Sequence, residues 1–413
     1  MVNLRKESIY LYTIQLSNFA IPLLILPYLT KVLGLGGLGK LGILQTIFFF
    51  MGFIIDFGFT YSASREISLN NDRKQLNKIY TNVQILRFFI FIIIGFSLIL
   101  VLNFLNLKEE EELGYILSIL SSLSFVLIPN WLFNGISQNS ILSFFTLIFK
   151  IITLVPIFLF VNNSEQYLLV FLIQNSSLIL LGIIVCIYIS INKKIKFNFK
   201  DIEFIYMRKI LKESFDVFSG SALSVVYTTF VPILIKISLG DKWVGVYILV
   251  EKILSLLKQM FMPIIQAFYA KICLLYSENE VKEVNKLTDK ILILYFCLTA
   301  TALLFNVAFG EFFIKLFFND QQIIFKYIFI SILGQFVVGL SIVTMYCGIL
   351  PSGNGYILKR IYAKASILFI ALICIMWNFL TLDIIYYLVI FVELIIVINA
   401  YLFMRNKING VQV

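Results

Sequence analysis

The sequence predicts an all-α polytopic membrane protein of about 12 transmembrane helices, arranged as two six-helix lobes around a central cavity. Three observations predict it. Hydrophobic residues fill 60% of the 413 positions and charged residues only 14%, whereas a soluble domain is about 25% charged. Apolar runs such as 88–105 and 384–404 are greasy on every side and do not alternate, which suits helices of about 20 residues and not the alternating strands of about 10 that build a membrane barrel. The longest polar stretch, 192–212, falls near the middle of the chain with six apolar runs on either side.

The spans follow in order. The first, 9–33, comes after a head bearing Arg5 and Lys6. It is too long for a signal peptide and lacks a small-residue cleavage site, so it is expected to be a retained helix. A glycine-rich turn leads to 41–63, and the basic break around Arg73 and Lys74 to 83–105. Lys108 and the Glu109–Glu112 run precede 113–135; the lightly charged breaks at 135–139 and 162–166 set off 141–161 and 166–191. Beyond the polar stretch come 214–239, 244–270, 290–310, 323–350, 361–380 and 384–404. The organisation expected is therefore an N-terminal lobe (1–191), a cytoplasmic basic linker (192–212) and a C-terminal lobe (213–413).

Translocating lysine and arginine is unfavourable, so they collect in cytoplasmic loops. The side holding both termini carries 22 of them and the opposite side 6, which places both termini in the cytoplasm. The net charge of +10 is accounted for by this topology, and no nucleic-acid partner is expected. A faint internal echo relates the halves: Pro27 to Lys31, followed by Gly37 and Gly42, parallels Pro232 to Lys236, followed by Gly240 and Gly245. Because six is even, the repeats would be parallel, with a substrate path between them.

Several chemistries are excluded. There is no histidine, so neither histidine ligation of a metal nor histidine base catalysis is available. Cys186, Cys273, Cys297, Cys347 and Cys374 lack the paired spacing of a metal site or a disulfide framework. No segment outside the spans exceeds about 25 residues, too few to bury a core of their own. The expected protein has no cofactor and no catalytic residue.

Local strings then resemble a known family. Span 2 ends Ile55-Asp56-Phe57-Gly58-Phe59 and continues through Ser64-Arg65-Glu66-Ile67; span 4 carries Pro129-Asn130-Trp131-Leu132-Phe133-Asn134-Gly135; span 8 runs from Val244-Gly245-Val246-Tyr247 to Glu251-Lys252-Ile253. These are similar to segments of the polysaccharide transporter family, the O-antigen and capsule flippases of the superfamily that also holds multidrug and toxin extruders. Asn134 departs from the family's frequent glutamine. The resemblance implies a V-shaped pair of lobes working by alternating access. The cargo would be an undecaprenyl-pyrophosphate oligosaccharide, delivered outward for an O-antigen polymerase. It also implies a cationic cavity and coupling to an H+ or Na+ gradient.

Ionisable groups inside spans are the independent clue, because a charge at the bilayer centre costs about 2.5–3.5 kcal/mol on insertion scales and usually faces a cavity or a partner. Lys150, with no acid nearby in sequence, is the first candidate for the anionic cargo, acting as a point charge towards phosphate; the competing reading is that it snorkels to the interface. Arg87, Lys236 and Lys258 are further candidate cations, with snorkelling favoured for Arg87 and Lys236. Asn130, Trp131 and Asn134 are candidate sugar contacts, along with Asn18, Gln45, Gln174, Asn175 and Tyr227. For the amides, interhelical hydrogen bonding is the competing reading. Asp56, Glu251 and Glu393 are candidate ion-coupling carboxylates; Asp56 could equally form a structural ion pair. Glu251 and Lys258 are seven residues apart, two helical turns, and so share a face. Pro22, Pro27 and Gly58 are candidate gating positions, since proline removes a backbone donor and bends a helix.

Two rival readings differ in chemistry. A drug or metabolite exporter would share the fold and want a narrower, acid-rich cavity. A membrane-embedded O-antigen polymerase would want a sizeable outward loop bearing arginines, and the outward loops here have none.

Overall fold

Backbone inside a bilayer must satisfy its own hydrogen bonds, and a helix does so within one segment. The computed structural model describes residues 4–70, 72–278, 280–318, 322–351 and 355–408, and among them there are helices and no strand. The chain forms two compact units, Met1–Ser219 and Gly220–Val413. Nine stretches among the described residues are long and apolar enough to cross a membrane. They do not include 214–239 or 244–270, several of whose side chains lie outside the described ones.

The first unit contains α1 (Leu4–Asp56), α2 (Phe59–Leu69), α3 (Arg73–Asn103), α4 (Glu109–Ser121), α5 (Leu123–Leu127), α6 (Asn130–Gly135), α7 (Asn139–Phe160), α8 (Tyr167–Tyr188) and most of α9 (Phe204–Thr229). A straight helix of 53 residues would be about 80 Å long, far more than one crossing. α1 is broken at Gly34, whose φ of 65° and ψ of 177° are not helical. Expected spans 1 and 2 thus share one element with a kink between them. Expected span 4 is instead three pieces, because Ser122 and the extended Ile128 before Pro129 interrupt it; the residue ahead of a proline is pushed out of the α region.

The core of this unit follows helical spacing. Phe59, Ala63 and Ile67 line one face of α2; Ile79 and Val83 of α3, Trp131, Leu132 and Phe133 of α6, Leu181 and Val185 of α8, and Ile210 of α9 pack against them. Small residues let the backbones approach closely, as membrane helix packing requires. A Cβ on Gly135 would stand 2.5 Å from Ile67 and 2.9 Å from the Ser64 carbonyl oxygen.

The stretch 192–212, expected as a linker, is docked onto α3 in the first unit. The backbone N–H of Lys196 donates to Asn77 (2.9 Å), that of Asn198 to Thr81 (3.1 Å) and that of Glu203 to Asn82 (2.9 Å). The Asn82 amide donates to the Asp201 carbonyl (2.8 Å), and Lys78 pairs with Glu203 at 2.6 Å. Ile195 is buried beneath this strap.

The second unit holds α10 (Val231–Leu239), α11 (Asp241–Ser277), α12 (Val281–Phe317), α13 (Gln322–Thr344), α14 (Gly355–Met376) and α15 (Leu382–Ile408). Its core joins Phe261 and Ile265 of α11 to Ile291 and Tyr295 of α12 and to Val343 and Cys347. The Phe261 and Tyr295 rings lie 4.0 Å apart, and the Tyr295 hydroxyl donates to the Gln335 carbonyl. Between α10 and α11 stands Gly240, with φ 90° and ψ 173°. The glycine of the first unit that shares this backbone is Gly34, three positions before the Gly37 expected from the sequence echo.

Candidate functional site

Two of the three strings that carried the family resemblance, those of spans 2 and 4, come together in the first unit as a joint. The Ser64 hydroxyl donates to the Trp131 carbonyl (2.7 Å), and Ile67 closes against Gly135. Glu66 accepts from the Tyr206 hydroxyl and from Lys209 at 2.9 Å, tying α2 to the start of α9. Burial, and then the Glu66 bond, push the Tyr206 phenol above its ordinary range, and the same carboxylate raises the exposed Lys209 ammonium. Trp131 is 0% exposed, so in this arrangement its ring offers no face to a sugar; it anchors the joint, 6.2 Å from the Tyr80 ring. Asn130 and Asn134 flank it and are exposed.

The turn before this joint is strained. Phe57 and Gly58 both have positive φ, 45° and 83°, a rare state for a bulky residue. Phe57 is held there by stacking on Phe218 at 4.7 Å. A Cβ on Gly58 would stand 2.6 Å from the Ser214 carbonyl oxygen, so glycine serves both the turn and the packing. Asp56 leads into the turn and accepts from Thr60 at 2.6 Å. Strained backbone beside a half-buried carboxylate is a mark of functional sites.

Arg87 does not snorkel. It is 2% exposed and donates to Gln84 (3.1 Å), to the Val126 carbonyl (3.5 Å) and to the Phe125 carbonyl. The reason is local: the end of α5 leaves carbonyls without helical donors, and a guanidinium supplies several. Asp56 contributes to the field at Arg87, so the two groups expected to serve cargo and coupling are electrostatic neighbours.

Lys150 lies in the middle of α7, eleven residues beyond Asn139, about 16 Å along the helix axis. The helix starts before the expected 141, which weakens snorkelling as its explanation. The side chain is half-buried. Gln45 and Gln174 hydrogen-bond each other between helices at 2.9 Å, the competing reading for those two amides, whereas the buried Asn175 donates within α8 to the Phe171 carbonyl. Pro27 lies inside α1; the side chains of Pro22, Asn18 and Tyr227 lie outside the described residues.

In the second unit Lys236 pairs with Asp241 at 3.2 Å across Gly240. Glu251 and Lys258, expected to share a face, also pair at 3.3 Å, with 30% and 39% of their side chains exposed. Around them stands a set of rings the sequence reading missed. Tyr386 lies 5.5 Å from Tyr247 and 5.4 Å from Tyr327, and Trp243 meets Tyr327 edge-on at 6.3 Å. The Glu251 charge acts on both Tyr247 and Tyr386. Tyr247 sits one turn before Glu251 within the span 8 string, which was the available signal. Lys326 and Asp383 pair nearby in sequence to these tyrosines, at 2.6 Å. Glu393 is 7% exposed within α15, and its charge acts on Tyr362. Among the described residues no group of three or more cysteine or acidic side chains could hold a metal ion.

The helices, their two units and the charges held within them define a multi-pass membrane protein with a transporter fold. The chain belongs to the polysaccharide biosynthesis protein family, whose profile matches residues 4–269. It is 22% identical over 371 residues to a Shigella dysenteriae protein named "Putative O-antigen transporter", covering 88% of this chain and 90% of that one. Its fold is that of a multidrug resistance MATE family transporter of the MOP superfamily in an inward-facing conformation (TM-score 0.73, 16% identity, 96% and 98% of the two chains covered). It is equally similar to the lipid II flippase MurJ in an inward closed conformation (TM-score 0.73, 14% identity, 96% and 87% covered).

Proposed function

We propose that this protein is a flippase that moves an undecaprenyl-pyrophosphate-linked oligosaccharide repeat unit from the cytoplasmic to the outer leaflet of a bacterial inner membrane, by alternating access and without covalent chemistry. The observation that carries the reading is membership of the polysaccharide biosynthesis family over residues 4–269, supported by the relative named for O-antigen transport. The multidrug transporter and the lipid II flippase resemble this chain equally in fold, so fold does not choose between them, and the family match favours the flippase reading. Lys150, half-buried at mid-helix, is the group for the pyrophosphate. Asp56 in its strained turn, Glu251 beside Lys258, and Glu393 are carboxylates through which an H+ or Na+ gradient drives the cycle. The outward product is delivered to an O-antigen polymerase, and both termini lie in the cytoplasm.

Deleting the gene should leave lipid-linked repeat units on the inner leaflet, while normal surface polysaccharide in that strain overturns the proposal. In proteoliposomes loaded with lipid-linked oligosaccharide, Lys150→Ala should slow translocation about tenfold or more, the worth of one charge-assisted hydrogen bond. An unchanged rate at equal protein level reduces Lys150 to an anchor.

A further inference from the structure

A groove of about 900 Å³ opens on the first unit between α3, α8 and the docked strap. Its α3 wall passes from polar to apolar, since Tyr80, Gln84 and Phe88 are four residues apart and all line it, while the strap wall sets Ile195, Phe197, Phe199 and Ile202 beside Lys196. Ser190 and Lys196 complete the polar end, and Phe89 lies at the apolar end. Phe88 is 45% exposed and Phe89 54%, so the apolar end is open sideways.

The strap over the polar end is cationic. Residues 193–200 include four lysines and no acid. Lys193 lies over the Tyr188 ring at 5.9 Å, leaving Lys194, Lys196 and Lys200 exposed. Of the acids that follow, Glu203 is held by Lys78, and the Asp201 carbonyl is tied to Asn82 with its side chain half-buried. Side-chain bonds from Asn77, Thr81 and Asn82 fix the strap backbone, so the lysines stand on a rigid rim. Phe197 and Phe199, edge to face at 5.0 Å, project from the same rim and are exposed. Exposed aromatics beside lysines next to a membrane span are the signature of an interfacial anchor to anionic lipid.

We propose that this groove binds an anionic glycerophospholipid of the cytoplasmic leaflet, with its phosphate under Lys194, Lys196 and Lys200 and one acyl chain along Phe88 and Phe89. The groove offers few hydrogen-bonding groups besides Tyr80, Gln84, Ser190 and Lys196, which suits a phosphate headgroup better than an oligosaccharide.

Native mass spectrometry of the full chain in detergent, titrated with phosphatidylglycerol or phosphatidylcholine, tests it. Each lysine near an anionic headgroup is worth enough that the three together should favour phosphatidylglycerol about 100-fold. The preference should shrink at high salt. The triple change Lys194→Gln, Lys196→Gln, Lys200→Gln should abolish the preference, and the triple arginine replacement should keep it. Ser190→Trp, on an exposed wall, should block retention with the lysines in place, so a glutamine variant that fails to fold leaves the test standing. Equal retention of the two lipids by the wild-type chain overturns the proposal, as does retention unchanged by Ser190→Trp. Displacement of phosphatidylglycerol by lipid-linked oligosaccharide would assign the groove to cargo and overturn it too. None of these measurements reads translocation, so they stand apart from the transport experiment.

Discussion

At Gly34 in the first unit and Gly240 in the second the backbone takes nearly the same turn, φ 65° and ψ 177° against φ 90° and ψ 173°. A proline-to-lysine string lies just upstream of each, Pro27 to Lys31 and Pro232 to Lys236. Yet Lys31 is exposed, whereas Lys236 is clamped to Asp241. The contrast widens away from the turn. In the first unit Arg87 and Glu66 are spent on fastening helices together. In the second, Glu251 and Lys258 pair along one helix and keep about a third of their surface open. One turn recurs in both units, while away from it Arg87 and Glu66 of the first fasten helices and Glu251 and Lys258 of the second stay partly open.

That contrast breaks most visibly at Arg87. Arg87→Ala strips donors from two backbone carbonyls and empties a buried site, and should destabilise the protein by about 3–5 kcal/mol, read as loss of the folded species in a thermal melt in detergent. Gly135→Ala forces a Cβ into Ile67 and should cost about 1–3 kcal/mol by overpacking; an unchanged melting midpoint would mean that α6 can slide on α2. Ser64→Ala removes one bond to the Trp131 carbonyl and should cost about 1 kcal/mol, measurable in the same melt. Glu251→Gln should move stability by less than about 1 kcal/mol, since a part-exposed ion pair contributes little, but should slow proteoliposome transport severalfold. A large stability loss there, with normal transport of the surviving protein, would place Glu251 with Arg87 and erase the contrast.

Much of this architecture was legible in the residues. Class and helicity follow from composition, and the shared face of Glu251 and Lys258 from spacing, though not the bond between them. What hydropathy concealed has one cause. Lipid tails are as apolar as leucine, so a helix face turned to lipid and one turned to protein read alike, and nothing in the sequence marked Trp131 as wholly buried or Arg87 as walled in. The docking of 192–212 was hidden differently. Its anchors are Asn77, Thr81 and Asn82, polar residues at the start of α3 that look like ordinary interfacial side chains until their partners 117 to 121 positions away are known. The tyrosine set around Glu251 came from three separate helices, a convergence no local string encodes.

The kink at Gly34 has a practical corollary. The break between the two helical parts of α1 is confined to one residue of non-helical backbone, so there is no irregular loop in which to splice anything. A topology reporter or epitope tag inserted at residue 34 should wreck the protein, while the same tag in the irregular 104–108 segment between α3 and α4 should be accepted. Mapping which face each end occupies should therefore begin at the 104–108 segment.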